Sequence, residues 1–146
     1  MPRFLPDTSC MVAVLCGWHE HHERAAREIE RRLERGEVLV VAAPALVETY
    51  AVLTRLPPPH RLSPVDSQAL LEANFMGDSV ETVALEAEVY VRLLRGAPER
   101  GIAGGRTYDT VIVACGMAAG VDVILTFNER QFRLLAGQDI EVLVPA

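Results

Sequence analysis

The chain has no lysine: all 14 basic residues among its 146 are arginine. That absence excludes a Gly-x-x-x-x-Gly-Lys phosphate loop, a Schiff-base enzyme and a Ser–Lys dyad, each of which needs the amine. Cysteine is scarce as well. Cys10, Cys16 and Cys115 are odd in number, stand in apolar contexts and form no Cys-x-x-Cys, so neither a disulfide framework nor a zinc site is expected. All three read as buried, reduced thiols. No apolar run reaches the ~20 residues that span a bilayer. The opening MPRFLPDTSC lacks the uncharged stretch and cleavage site of a signal peptide. A cytoplasmic location is the resulting expectation. No repeat, low-complexity segment or linker divides the chain, and residues 1–146, half of them hydrophobic, read as one domain with room for a core.

Positive charge is also lacking in bulk. The net charge is −6, so capture of nucleic acid by a broad cationic surface is excluded as a mode of binding. Chemistry on a phosphodiester would require bound metal and local arginines to invert the field.

What the chain does have is an alternation of short apolar runs and amphipathic segments. Arg3–Pro6 reads as a strand, with Thr8 or Ser9 capping a helix that Gly17 ends. His19 to Arg35 reads as a charged helix with Ala25, Ala26, Ile29 and Leu33 at helical spacing and Gly36 as its stop. VLVVA at 38–42 is apolar on both faces, as buried parallel strands are. Pro44 suits the first turn of a helix to about Leu56, which LPPPH terminates. Further helices are expected from Ser63 to Phe75, Ala84 to Leu94, Thr107 to Ala119 and Arg130 to Leu135, with strands at 79–83, 122–126 and 140–144. Gly96 to Gly105, with four glycines and a proline, reads as a loop fit to serve as a lid. Strands alternating with helices predict an α/β/α sandwich on a mainly parallel sheet.

Against this frame four polar residues share one kind of position. Asp7, Glu48, Asp109 and Asn128 each sit where an apolar segment meets a turn or opens a helix, in PDTS, PALVE, TYDTVIVA and TFNER. Residues at the carboxyl ends of strands in an open α/β sheet converge on one crevice. Three carboxylates and an amide there suit a hard divalent cation, which takes oxygen ligands and keeps positions open for substrate. Each residue has a plainer reading. Glu48 is the only charge between Pro44 and Arg55; it is either a site carboxylate or a first-turn acid facing water. Asp109 is equally ordinary in a first turn, Asp7 as a cap and Asn128 as a turn residue. Their shared placement is what favours a site. Thr8 and Thr126 are candidates for orienting water or substrate, and Arg106 for meeting a phosphate. The run His19-Glu20-His21-His22-Glu23 is not His-Glu-x-x-His; it reads as a polar helix entry, although His19 and His22 would share a helix face. Trp18 beside it reads as a packing anchor.

FLPDTSCMVAVL, HHERA, PALVETYAVLTRL and TYDTVIVACGMAAGVDVILTFNERQF, in that order over nearly the whole chain, resemble the PIN domain of the small bacterial VapC-type ribonuclease toxins. The resemblance implies Mg²⁺- or Mn²⁺-dependent cleavage of RNA, a homodimer and inhibition by a cognate VapB-like antitoxin. It also implies that Asp7, Glu48 and Asp109 bind the metal and that Asn128 fills a variable fourth place, often aspartate. Gln131 stands where the family commonly has another aspartate and is not taken as a ligand. Pro6 removes a donor from a strand end and is expected to kink it. An aspartyl phosphatase is excluded because Asp7-Thr8-Ser9 lacks the second aspartate of its signature, and a dinucleotide fold because no Gly-x-Gly-x-x-Gly follows a strand. The remaining alternative keeps the fold as a catalytically idle, partner-binding module.

Overall fold

Residues 2–146 are described by a computed structural model. The elements in chain order are β1 (Arg3–Pro6), α1 (Thr8–Leu15), α2 (His22–Glu34), β2 (Val38–Ala42), α3 (Ala43–Arg55), α4 (Pro64–Phe75), β3 (Glu81–Val83), α5 (Ala87–Gly96), α6 (Arg106–Ala119), β4 (Val123–Leu125), α7 (Glu129–Ala136) and β5 (Glu141–Leu143). All five strands pair in parallel, in the order β3-β2-β1-β4-β5. The result is the expected three-layer α/β/α sandwich.

Sequence explains which strands are central. β2 and β4 are continuous apolar runs, VLVVA and VIL, because helices cover both of their faces. The edge strands β3 (ETV) and β5 (EVL) are only three residues long and begin with an exposed glutamate, which blunts them against pairing with other chains. Phe4, Phe75 and Phe132 anchor the core, each at most 1% exposed. Gly120, at φ +66°, closes α6 in the left-handed conformation that glycine adopts without strain.

The order also fixes where a site can form. The chain runs outward from β1 through β2 to β3, then crosses back to β4 on the other flank of β1. The topological switch therefore lies between β1 and β4, where the carboxyl ends of the strands leave a crevice. Pro6 deepens it. The Asp7 N–H donates to the Leu125 carbonyl of β4 at 2.9 Å, so the nitrogen one residue earlier faces β2 and, being proline, has nothing to donate. Pairing of β1 with β4 continues to Pro6, whereas pairing with β2 stops at Phe4. The opposite end of the sheet is tied shut. There Arg3 donates twice to Glu81, at 2.7 and 2.8 Å, and its N–H bonds Asp122.

Several local expectations shift. The side chain that caps α1 is Asp7, accepting the Cys10 N–H at 2.9 Å, rather than Thr8 or Ser9. α2 begins at His22, so residues 18–21 form a turn and His19 does not share a helix face with His22. Trp18 is no packing anchor; it is half exposed and stacks on His60. The segment after α5 is a series of turns with Ile102 tucked inward at 9% exposure. The three cysteines are free and buried. No helix among the described residues is long and apolar enough to cross a membrane.

α2 is fastened by a buried ionic cluster. Arg32, 6% exposed, bonds Glu28 at 2.7 Å and Glu37 at 2.8 Å, with its guanidinium over the Phe4 ring. Arg32→Ala leaves two buried carboxylates short of a partner and should cost about 3 kcal/mol in a urea unfolding titration. A loss below about 1 kcal/mol would show that water or Arg31 and Arg35 replace it.

Candidate active-site cleft

A cleft of about 390 Å³ opens at the switch point, lined by Asp7, Thr8, Ser9, Glu48, Gly105, Arg106, Asp109, Asn128 and Gln131. Four separate stretches of chain supply it. β1 delivers Asp7 at its end, α3 presents Glu48 from its first two turns, α6 presents Asp109 from its first turn, and the β4–α7 connection brings Asn128.

Asp7 is the deepest member, 1% exposed. A buried carboxylate is costly unless its lone pairs are satisfied. Oδ1 accepts the Ser9 hydroxyl at 2.6 Å and the Cys10 N–H; Oδ2 accepts the Thr126 hydroxyl at 2.6 Å. Those hydroxyls are themselves held: Ser9 Oγ accepts the Phe127 N–H at 3.1 Å, and Thr126 Oγ1 accepts the Asn128 N–H at 2.9 Å. One carboxylate thus knits the end of β1 to the exit of β4. Of about four acceptor positions on its two oxygens, three are used, and one on Oδ2 remains. Thr126 was expected to meet substrate. It is instead fully buried beneath the cleft, its hydroxyl committed to Asp7.

Glu48 is half-buried and accepts the Thr8 hydroxyl at 2.5 Å. Asp109 is also half-buried; burial first, then the charges of Asp7 and Glu48, push its carboxyl up to about 6, against the opposing effect of Arg106. Asp7 is raised as well, chiefly by burial and further by Glu48, while Ser9, Thr126 and Cys10 pull it back. The three acids therefore feel one another across the cleft. Asn128 and Gln131 are exposed at its rim, three residues apart at the start of α7. Gln131, an amide rather than an acid, reads from the sequence as no ligand, yet its helical spacing from Asn128 brings it to the same cavity. Arg106 lines the cleft, and its Nε is buried with no hydrogen-bond partner.

The donor set fits a hard divalent cation: carboxylate, amide and hydroxyl oxygens, with a free position on Asp7. Among the described residues no three His, Cys, Asp or Glu side chains stand close enough to clamp an ion as they are. The histidine run contributes nothing to the cleft's lining.

Fold and cleft together define an α/β/α protein with an acidic, oxygen-lined crevice at its switch point. Comparison with known proteins makes this specific. The model of the PIN domain family matches residues 4–137. Ribonuclease VapC40 of Mycobacterium tuberculosis is 44% identical over 119 residues, covering 82% of each chain, and Ribonuclease VapC27 of the same organism is 31% identical over 111 residues, covering 76% of this chain and 74% of that one. Among solved structures, Mycobacterium tuberculosis VapC20, described as a sarcin-ricin loop cleaving toxin, superposes with a TM-score of 0.67 at 16% identity over 88% of this chain and 92% of its own. DNA-bound VapBC from Salmonella typhimurium superposes with a TM-score of 0.67 at 19% identity over the full length of both chains. The chain belongs to the PIN domain family, and its relatives within it are VapC-type ribonucleases.

Asp109 gives the cleft a pH signature in cation-free protein. Its carboxyl titrates near 6 when folded against an ordinary 3.8. The folded state therefore holds the proton more tightly, and the stability this contributes is present below about pH 4 and lost as pH rises through about 6. Asp109→Asn should raise the melting temperature at pH 7.5 in EDTA and leave it nearly unchanged at pH 4. Equal effects at both pH values would show that the cost of ionising Asp109, from burial and from its acidic neighbours, is not what the substitution relieves.

Proposed function

We propose that the protein is an endoribonuclease that hydrolyses RNA phosphodiester bonds with Mg²⁺ or Mn²⁺, acting as the toxin of a VapBC-type pair. The observation that carries this reading is the convergence of Asp7, Glu48, Asp109 and an unpartnered arginine Nε on one cleft at the switch point. Asp7 and Asp109 hold the principal ion, with Glu48 binding directly or through water. When bound, such a cation polarises the scissile phosphate and lowers the pKa of the attacking water. Ser9 and Thr126 keep the Asp7 carboxylate in place while it does so. Thr8 fixes Glu48 through its hydroxyl. Arg106 presents its fork to a phosphate oxygen, a geometry guanidinium matches in two bonds. Asn128 orients a water at the rim. With an amide there instead of an acid, three fixed negative charges face the metal, which favours one resident ion and a second brought with the substrate phosphate.

On this reading the protein acts in the cytoplasm as a homodimer and is restrained by a VapB-like antitoxin. The support is the kinship with VapC ribonucleases and the VapBC complexes among the fold neighbours. An acidic chain of net charge −6 also suits an arginine-rich partner segment. Co-expression with the adjacent gene product should yield a stable complex that relieves growth arrest; free purification with no partner in the operon would oppose it.

Purified protein with Mn²⁺ should cut single-stranded regions of RNA, and Asp7→Asn should reduce cutting to background while still unfolding in one cooperative transition, shifted because the amide NH2 cannot accept as the lost oxygen did. Calorimetry on RNA-free protein should show one Mn²⁺ bound per chain. Undiminished cutting by Asp7→Asn removes that residue from the site, and antitoxin capture without any cutting would favour the idle module. Arg106→Ala should weaken RNA binding by roughly tenfold or more, as loss of a charge-assisted hydrogen bond does, with little change in Mn²⁺ affinity. Equal RNA affinity in both proteins would exclude Arg106 from the phosphate contact.

A further inference from the structure

The chain has one tryptophan and four histidines, and the nuclease chemistry uses none of them. Yet three of those histidines and Trp18 form a line of neighbouring rings that ends on Phe127, beside the cleft. His60 stacks on Trp18 with centroids 4.0 Å apart and planes inclined 22°. Trp18 leads to His19 at 5.8 Å and His19 to His21 at 5.5 Å. His21 stacks on Phe127 at 4.3 Å and 16°. Phe127 lies between Thr126 and Asn128, and its N–H is bonded to Ser9, which lines the cleft. Arg24 stands over the same Phe127 ring, 5.4 Å from its centroid, with its guanidinium bonded to His21.

Core packing does not account for this line. Trp18 is 50% exposed, and the segment carrying it, residues 18–21, is a turn outside any helix. Nor is it a metal site: the His21 Nδ1 is bonded to the Arg24 guanidinium. The His19 Nδ1 is occupied in accepting the His21 N–H at 3.0 Å, and no group of three ligating side chains gathers among the described residues. What remains is a row of mostly polar rings, two stacked pairs (His60 on Trp18, His21 on Phe127) joined by tilted contacts through His19 and so ordered in advance. Planar rings and a guanidinium are the surface on which unpaired nucleobases stack, whatever their sequence. Arg24 is in no ion pair with a carboxylate among the described residues, which leaves a cation at the cleft end of the row in a chain of net charge −6.

We propose that the row His60–Trp18–His19–His21–Phe127, with Arg24, is the track on which bases of single-stranded RNA stack as the strand leaves the cleft. The proposal rests on the ribonuclease reading and adds to it where the substrate lies. It assigns Trp18 and His21 to substrate binding rather than to the chemical step. It also resolves how an acidic protein holds RNA: stacking supplies what broad positive charge does not.

Because Trp18 is the sole tryptophan, its fluorescence reports on the track alone. Wild-type protein in EDTA is titrated with a ten-nucleotide unstructured RNA, checked intact afterwards, and RNA cleavage is then measured with Mn²⁺. The expected result is saturable quenching of Trp18. Trp18→Ala and His21→Ala should each weaken binding by about tenfold, within the range found for loss of one stacked base, with the loss falling on KM rather than kcat. The effect of Trp18→Ala should shrink on an RNA too short to span from the cleft to the turn. Wild-type affinity and KM in both variants, with cleavage intact, would overturn the track and leave the nuclease reading standing. Trp18 emission that ignores RNA but shifts on adding the co-expressed partner protein would also overturn it, marking the row as a protein-binding face. Failure of the wild type to cut any RNA would remove the ribonuclease reading itself, and the track with it.

Discussion

A single buried carboxylate joins the halves of this molecule. Asp7 ends the central strand, caps the helix that follows, and takes the hydroxyls of Ser9 and Thr126, the second from a residue 119 positions away. Those hydroxyls in turn hold the N–H groups of Phe127 and Asn128. Burial of an ionised carboxyl at 1% exposure is tolerable only because these partners satisfy it. The same bonds hold the flanks of the switch point in register, so satisfying a buried acid and shaping the cleft are met by one set of contacts. Thr126 is hidden for this reason: a residue reading as a substrate contact is instead the buried support of Asp7.

The cleft is held in tension. Burial and neighbouring acids raise both Asp7 and Asp109 above the usual carboxylate range. Carboxyls shifted by burial and like charge in a crevice are concentrated at functional sites. A larger hollow, about 660 Å³ between α2, the end of α4 and the segment that leads into β3, shows the contrast. It is lined mainly by Val14, Ile29, Leu39 and Phe75, with Glu30 and Glu34 among its lining, and gathers no set of converging oxygen donors of this kind. Size does not mark the site; the chemistry of the lining does.

Much of the architecture was readable because local signals agreed with tertiary ones. VLVVA could only be a strand covered on both faces, Pro44 entered α3 at its first turn, and Gly120 closed α6. Asp7, Glu48, Asp109 and Asn128 were singled out by position, and the sheet order then brought them to one cavity. What escaped the sequence depended on contacts between distant residues. The cap passed to Asp7 because Ser9 turns its hydroxyl onto that carboxylate and Thr8 turns its own to Glu48. The helix expected from His19 starts only at His22, where the preceding turn has Trp18 stacked on His60 and His21 stacked on Phe127, about forty and more than a hundred residues on. Apolar periodicity carries no information about such pairings.

The central claim is that these distant oxygens share one divalent cation. Diffraction from crystals soaked in Mn²⁺, recorded at the manganese absorption edge, tests it without reference to any reaction. The account predicts one anomalous peak in the cleft, within coordination distance of the Asp7 and Asp109 carboxylates and directly or through water of Glu48. An empty cleft at Mn²⁺ concentrations that support RNA cleavage, or a peak held by other residues, would contradict it.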